Sequence, residues 1–125
     1  MRIYSRDDVI SLKVSEKQRP RLNLHQTYDD KVQKMLFVMR PGEERTPHAN
    51  MRELTQVVLA GDADLLIYDE TGKELLQKIR ISPEENFAYT LEAGLMHTKA
   101  VRKTLVLFEV IEGPYVGTSD LKVAA

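Results

Sequence analysis

The stretch from Pro41 to Gly61, PGEERTPHANMRELTQVVLAG, restricts the fold more than any other part of this chain. It opens on Pro-Gly, brings His48 six residues after Gly42, and closes on Gly61 after an apolar run. Downstream, Leu91-Glu92-Ala93-Gly94-Leu95-Met96-His97 repeats the device on a smaller scale. Alternate residues of a strand point to one face. Two glycine-bounded β segments, each delivering a histidine, therefore predict a barrel that gathers side chains at its centre.

The remaining chain fits an all-β reading. Ser5-Arg6-Asp7-Asp8 ahead of Val9, Ile10 and Leu12 reads as a capped helix start, with Ser5 as N-cap and Asp8 in the first turn. Pro20 closes that region, since proline disfavours helix in the residue before it. Residues 1–18 are expected to form a short arm or helix, and 19–125 a single domain. From Arg21 the period becomes two: Arg21, Asn23 and His25 alternate with Leu22 and Leu24. Further strands are expected over Val32–Arg40, Thr55–Ala60, Ala63–Tyr68, Glu74–Ile81, Phe87–Leu91, Met96–Val101 and Thr104–Ile111. Turn signals between them, at spacings of about 8–12 residues, favour a sandwich or barrel over βαβ units.

Composition excludes several classes. At 125 residues, a single domain buries roughly two-thirds of its unfolded surface. With 18 Lys and Arg interspersed among 19 Asp and Glu, the net charge is −1 and there is no basic stripe for nucleic acid. No apolar run approaches the ~20 residues of a membrane span, and MRIYSRDDVI is too charged for a signal peptide. The absence of Cys removes disulfides and thiolate sites and fits a cytoplasmic protein.

The three histidines, His25, His48 and His97, lie in separate parts of the chain at strands or strand edges. Imidazoles from different strands can converge inside a small barrel and hold a metal. On a regular strand, position 50 shares a face with His48. It is Asn50, a poor ligand; Glu53 is a better donor but needs the loop to bend back.

At this point the residues resemble a known pattern. Gly42, His48, Asn50, Leu54 and Gly61 fall at the spacings of the first cupin motif, with Asn50 and Leu54 in place of a ligand His and Glu. Gly94 and His97 answer the second motif, with Glu92 where it usually has proline. A longer ordered set covers roughly residues 19–120: Arg21-Leu22-Asn23-Leu24-His25, Asp29-Asp30, Pro47-His48, Asp69 to Gly72, His97-Thr98 and Glu112-Gly113-Pro114-Tyr115. This set resembles the WbuC family of cupin-fold metalloproteins, small bacterial proteins often associated with surface-polysaccharide gene clusters.

The resemblance implies a cupin double-stranded β-helix, a homodimer, and a sugar-related small-molecule ligand. It also implies a divalent metal (Fe, Mn, Zn or Ni) at His48 and His97, completed by Glu53 or His25, or else a weakened or lost site. Two functions follow: action on a sugar or nucleotide-sugar derivative over a metal, or a metal-free module binding a small polar or anionic ligand. The binding residues would be Arg21, Asn23, His25, Asn50 and Tyr115. Each has a plainer reading beside it. His48 and His97 suit buried histidines bonded to backbone, and His25 a strand edge near solvent. Arg21 suits a surface salt bridge as well as an anion site, and Asn50 a turn. Tyr115 is expected to pack at the barrel mouth. Glu109, alternating with Phe108 and Val110, is expected to face solvent or a partner, with lining the cavity as the alternative, and the methionines at 35, 39, 51 and 96 to fill the core.

Overall fold

In the computed structural model, which describes residues 1–12, 21–27, 29–114 and 121–123, the cap at Ser5 forms as the sequence predicts. The Asp8 amide donates to Ser5 Oγ at 3.1 Å and starts α1 (Arg6–Ile10). So short a helix has little stability of its own. It is held by packing: Val9 is buried against Leu36, Val38 and Val106, with Leu22 and Leu24 around them.

Eight strands follow: β1 (Arg21–Asn23), β2 (Val32–Met39), β3 (His48–Asn50), β4 (Leu54–Tyr68), β5 (Leu75–Ile81), β6 (Ala88–Leu91), β7 (His97–Glu112) and β8 (Leu121–Val123). Every pairing is antiparallel. The order β1-β2-β7-β3-β8 makes one side, and β4 pairs with β5, β6 and β7. No helix among the described residues is long and apolar enough to cross a membrane.

Two pairs of expected strands are in fact single long ones. Gly61-Asp62 reads as a turn in sequence, yet β4 runs through it, and β7 runs through Arg102-Lys103. The two stay paired from Leu54↔Ile111 to Ile67↔His97, with register shifts between Val58 and Ala63. These bulges bend both strands together, so that each serves both walls of the barrel. Gly61 is what the bend requires: its φ is +98°, and a Cβ there would collide with the Thr104 carbonyl. On the outside of the bend, Asp62 accepts from both Arg80 and Arg102.

Alternation along these strands fills the interior. Leu54, Val58, Ala63 and Leu65 of β4 meet Val101, Leu105 and Leu107 of β7, with Ile81 and Leu91 closing the cluster. Each such side chain contributes roughly 1.5–3 kcal/mol by leaving water. Met35 and Met96 are buried and Met39 packs on the core, whereas Met51 is 40% exposed in the β3–β4 turn.

Candidate functional site

β1 presents its faces in an instructive way. Leu22 and Leu24 turn outward under α1, so the polar side chains Arg21 and Asn23 turn into the barrel. Register then builds a row across five strands: Asn23↔Met35, Met35↔Glu109, Glu109↔Gln56 and Gln56↔Tyr89. Directly paired residues share a face of the sheet. In that row Gln56 Nε2 donates to Glu109 Oε1 at 2.7 Å, and the Tyr89 hydroxyl donates to Gln56 Oε1.

Glu109 is therefore not a solvent-facing residue; it is 8% exposed. Its neighbours in the alternation, Phe108 and Val110, take the other face. Burial pushes its carboxyl pKa up, against the pull of Gln56, Lys99, Arg21 and Arg45. Burial, reinforced by Glu109, likewise raises the Tyr89 phenol.

The second part of the site comes from the other arm of β7. His97 pairs with His48 of β3 and with Ile67 of β4. The two rings lie 4.6 Å apart between centroids, tilted by 51°. His48 Nδ1 is 3.0 Å from the Thr46 carbonyl and His97 Nδ1 is 2.9 Å from the Leu95 carbonyl. A carbonyl only accepts, so each Nδ1 carries a proton and each Nε2 keeps its lone pair in the neutral ring. His97 is held neutral: burial first, then the charges of Lys99, His48 and Arg45, bring its pKa down to about 3.

Lys99, two residues on and on the same face, is 5% exposed. Burial brings its pKa down to about 8, with Glu109 opposing that shift and Arg45 adding to it. Arg21, Arg45 and Lys99 all act on the one carboxyl of Glu109. Arg21 Nε and Asn23 Oδ1 are buried with no hydrogen-bond partner among the described residues.

The other expected ligands do not join this pair. Glu53 is exposed in the turn that links β3 to β4, and Leu54, at the motif's carboxylate position, is a 2% exposed core residue. His25 is buried at the start of the barrel wall, with Nδ1 3.0 Å from the carbonyl and 3.1 Å from the amide of Lys34. That contact pins its ring to the backbone of β2. Asn50 lies half-buried on β3, its carbonyl accepting from Gly94 at 2.8 Å. Tyr115 lies outside the described residues.

The interior does not fit a divalent cation. Among the described residues, no three His, Cys, Asp or Glu side chains are grouped to hold one. Two imidazoles are a weak donor set, and the charges acting on His97 include those of Lys99 and Arg45, which repel a divalent cation.

Lys99, Gln56, Tyr89 and Arg45 escape the sequence reading. A signal for Lys99 and Glu109 exists: the odd positions from 97 to 111 share one parity, and apart from the exposed Lys103 at the bend they otherwise carry His97, Val101, Leu105, Leu107 and Ile111. A charge on so apolar a face is the anomaly to look for.

A bent antiparallel barrel that turns paired histidines inward has a cupin fold. A cupin superfamily protein of Desulfitobacterium hafniense DCB-2 matches it with a TM-score of 0.60 at 23% identity, over 81% of this chain and 83% of that one. A Klebsiella pneumoniae protein with a double-stranded β-helix domain matches with a TM-score of 0.66 at 17% identity, over 98% and 91%. The capsular polysaccharide assembling protein CapF from Staphylococcus aureus matches with a TM-score of 0.71 at 13% identity, over 90% of this chain and 31% of that one. At these identities the likeness is one of fold. No curated protein matches the chain in sequence. Residues 11–81 match the family described as a domain of unknown function, DUF6016, and the chain belongs to that family.

Proposed function

We propose that this protein is a metal-free cupin module that binds a small anion, a carboxylate or phosphate, inside its barrel. The observation that carries the reading is the charge inventory of the interior. Lys99, Arg21 and Arg45 act on a single buried carboxyl, that of Glu109. Lys99 is almost wholly buried, a buried ammonium is costly, and a bound anion lowers that cost. Arg21 Nε and Asn23 Oδ1, buried and unpartnered among the described residues, supply a donor and an acceptor for an acid that also carries hydroxyl groups. Tyr89, Gln56 and Glu109 form a bonded row beside them.

A sugar phosphate is the first ligand to try. The resemblance to the WbuC family and the shared fold with CapF both support a surface-polysaccharide setting. The homodimer implied by that resemblance would use β5, which pairs with β4 alone among the described residues and exposes Leu75 and Leu76. Light scattering on Leu76→Lys tests it: a parent dimer should become a monomer.

The binding reading is tested by thermal unfolding with inorganic phosphate, glucose 1-phosphate and acetate, each with and without a chelator. Ligand at ~100 Kd should add ~2.7 kcal/mol of stability. The gain should survive the chelator and fall sharply in Arg21→Ala. A parent unmoved by all three anions, or moved only when metal is added, overturns the reading.

A further inference from the structure

The His48–His97 pair has the orientation a metal needs and lacks the surroundings. Both Nδ1 atoms are engaged by carbonyls, which makes Nε2 the unprotonated nitrogen of each neutral ring, the atom through which such an imidazole would ligate a metal. The alternation of β7 sets Lys99 beside His97 on the interior face, almost wholly buried and close enough for its charge to act on that ring. Arg45 acts on the ring in the same sense. Glu109, on the other arm of the same strand, is the carboxyl among the described residues whose charge acts on Lys99.

We propose that the Lys99 ammonium takes the role of the barrel's cation: it excludes a divalent metal from the His48–His97 pair and receives the ligand anion directly. The exclusion rests on the buried charge alone, while the second half rests on the anion-binding reading above. A mobile divalent ion must be held by several donors. A lysine delivers one positive charge on a covalent tether and needs none of them, so Asn50 and Leu54 at the motif's ligand positions cost this chain nothing. In this arrangement each Nε2 can accept from a hydroxyl of the ligand but offers nothing to its anionic oxygens, so Lys99 alone sets the preference for anions over cations.

Zinc alone and inorganic phosphate alone are the probes, with affinities measured by titration calorimetry and retained zinc by elemental analysis after dialysis. The variants are Lys99→Met and Lys99→Arg, each in the parent and in Asn50→His, which restores an imidazole at the motif's second position. Lys99→Met should raise zinc affinity by at least about tenfold in the Asn50→His background, and Lys99→Arg should not. Equal zinc binding with Lys and with Met at this position overturns the exclusion. Phosphate affinity should fall by at least about tenfold in Lys99→Met; equal affinity overturns the role as anion receiver. A parent that binds no phosphate defeats the anion reading and with it that second half, while the zinc comparison still decides the first. Lys99→Gln, which keeps a polar end, repeats both arms should Lys99→Met unfold.

Discussion

Two sets of side chains share the barrel interior, and both come from the same alternation on β4 and β7. Val58, Leu65, Val101, Leu105 and Leu107 make an apolar cluster in which shape and exclusion of water are the whole contribution. Gln56, Glu109, His97 and Lys99, at neighbouring positions of the same parity, make a polar cluster whose members must find partners or lose stability. The backbone is common to both, so the difference lies in side-chain chemistry. The apolar set stabilises the barrel. The polar set stores ionisable groups at a cost, as sites that bind ligands do.

The largest effect should come from the apolar side. Leu105 is fully buried, and Leu105→Ala should lower unfolding free energy by ~2–5 kcal/mol in a denaturant titration. Phosphate affinity should hardly change; a loss equal to that of Lys99→Met would dissolve the distinction between the two clusters.

Next is the acid side of the polar cluster. The folded-state pKa of His97, brought down to about 3 from 6.5, means that the unfolded chain binds the proton first. Stability is then full above pH 6.5 and falls as pH drops towards 3, by up to ~4 kcal/mol from this ring alone. His97→Gln should flatten that slope in melts between pH 4 and pH 7, the range being roughly that of the cited shift. An unchanged slope would remove His97 from the buried cluster.

Lys99 should act in the opposite range and more weakly. Its pKa is brought down to about 8 from 10.5, so its charged form costs stability below pH 8, and that cost fades as pH rises towards 10.5. Lys99→Met should therefore raise stability at neutral pH by ~1–3 kcal/mol while weakening phosphate binding. A destabilised Lys99→Met would mean that Lys99 is held by pairing with Glu109 and contributes to the fold. The smallest effect belongs to the outer bend. Asp62→Asn removes an exposed bridge to Arg80 and Arg102 and should shift melting slightly, the more so at low salt.

The difference between the clusters also marks what sequence can carry. The period of two and the cap at Ser5 are local facts, and the strands and helix start they predict are present. The long strands were harder to read, because Gly61-Asp62 has turn composition and only pairing with β7 shows that the chain continues. Glu53 and His25 can serve as ligands only if a loop or a strand brings them to His48. A turn residue's direction depends on the loop, and Glu53 points to solvent; His25 is claimed by the backbone of β2.

By itself, then, the sequence determined an all-β chain with a histidine on each of two glycine-bounded strands, because side-chain periodicity and backbone permissiveness are written residue by residue. Only the tertiary structure decided which face of each strand is inside. It turned the polar side of β1 inward under α1, and by bending β7 it set Lys99 and Glu109, ten residues apart, across one interior. No local pattern encodes that meeting, since it depends on where a bulged strand folds back. With it came the placement of a buried ammonium and a buried carboxyl inside the barrel.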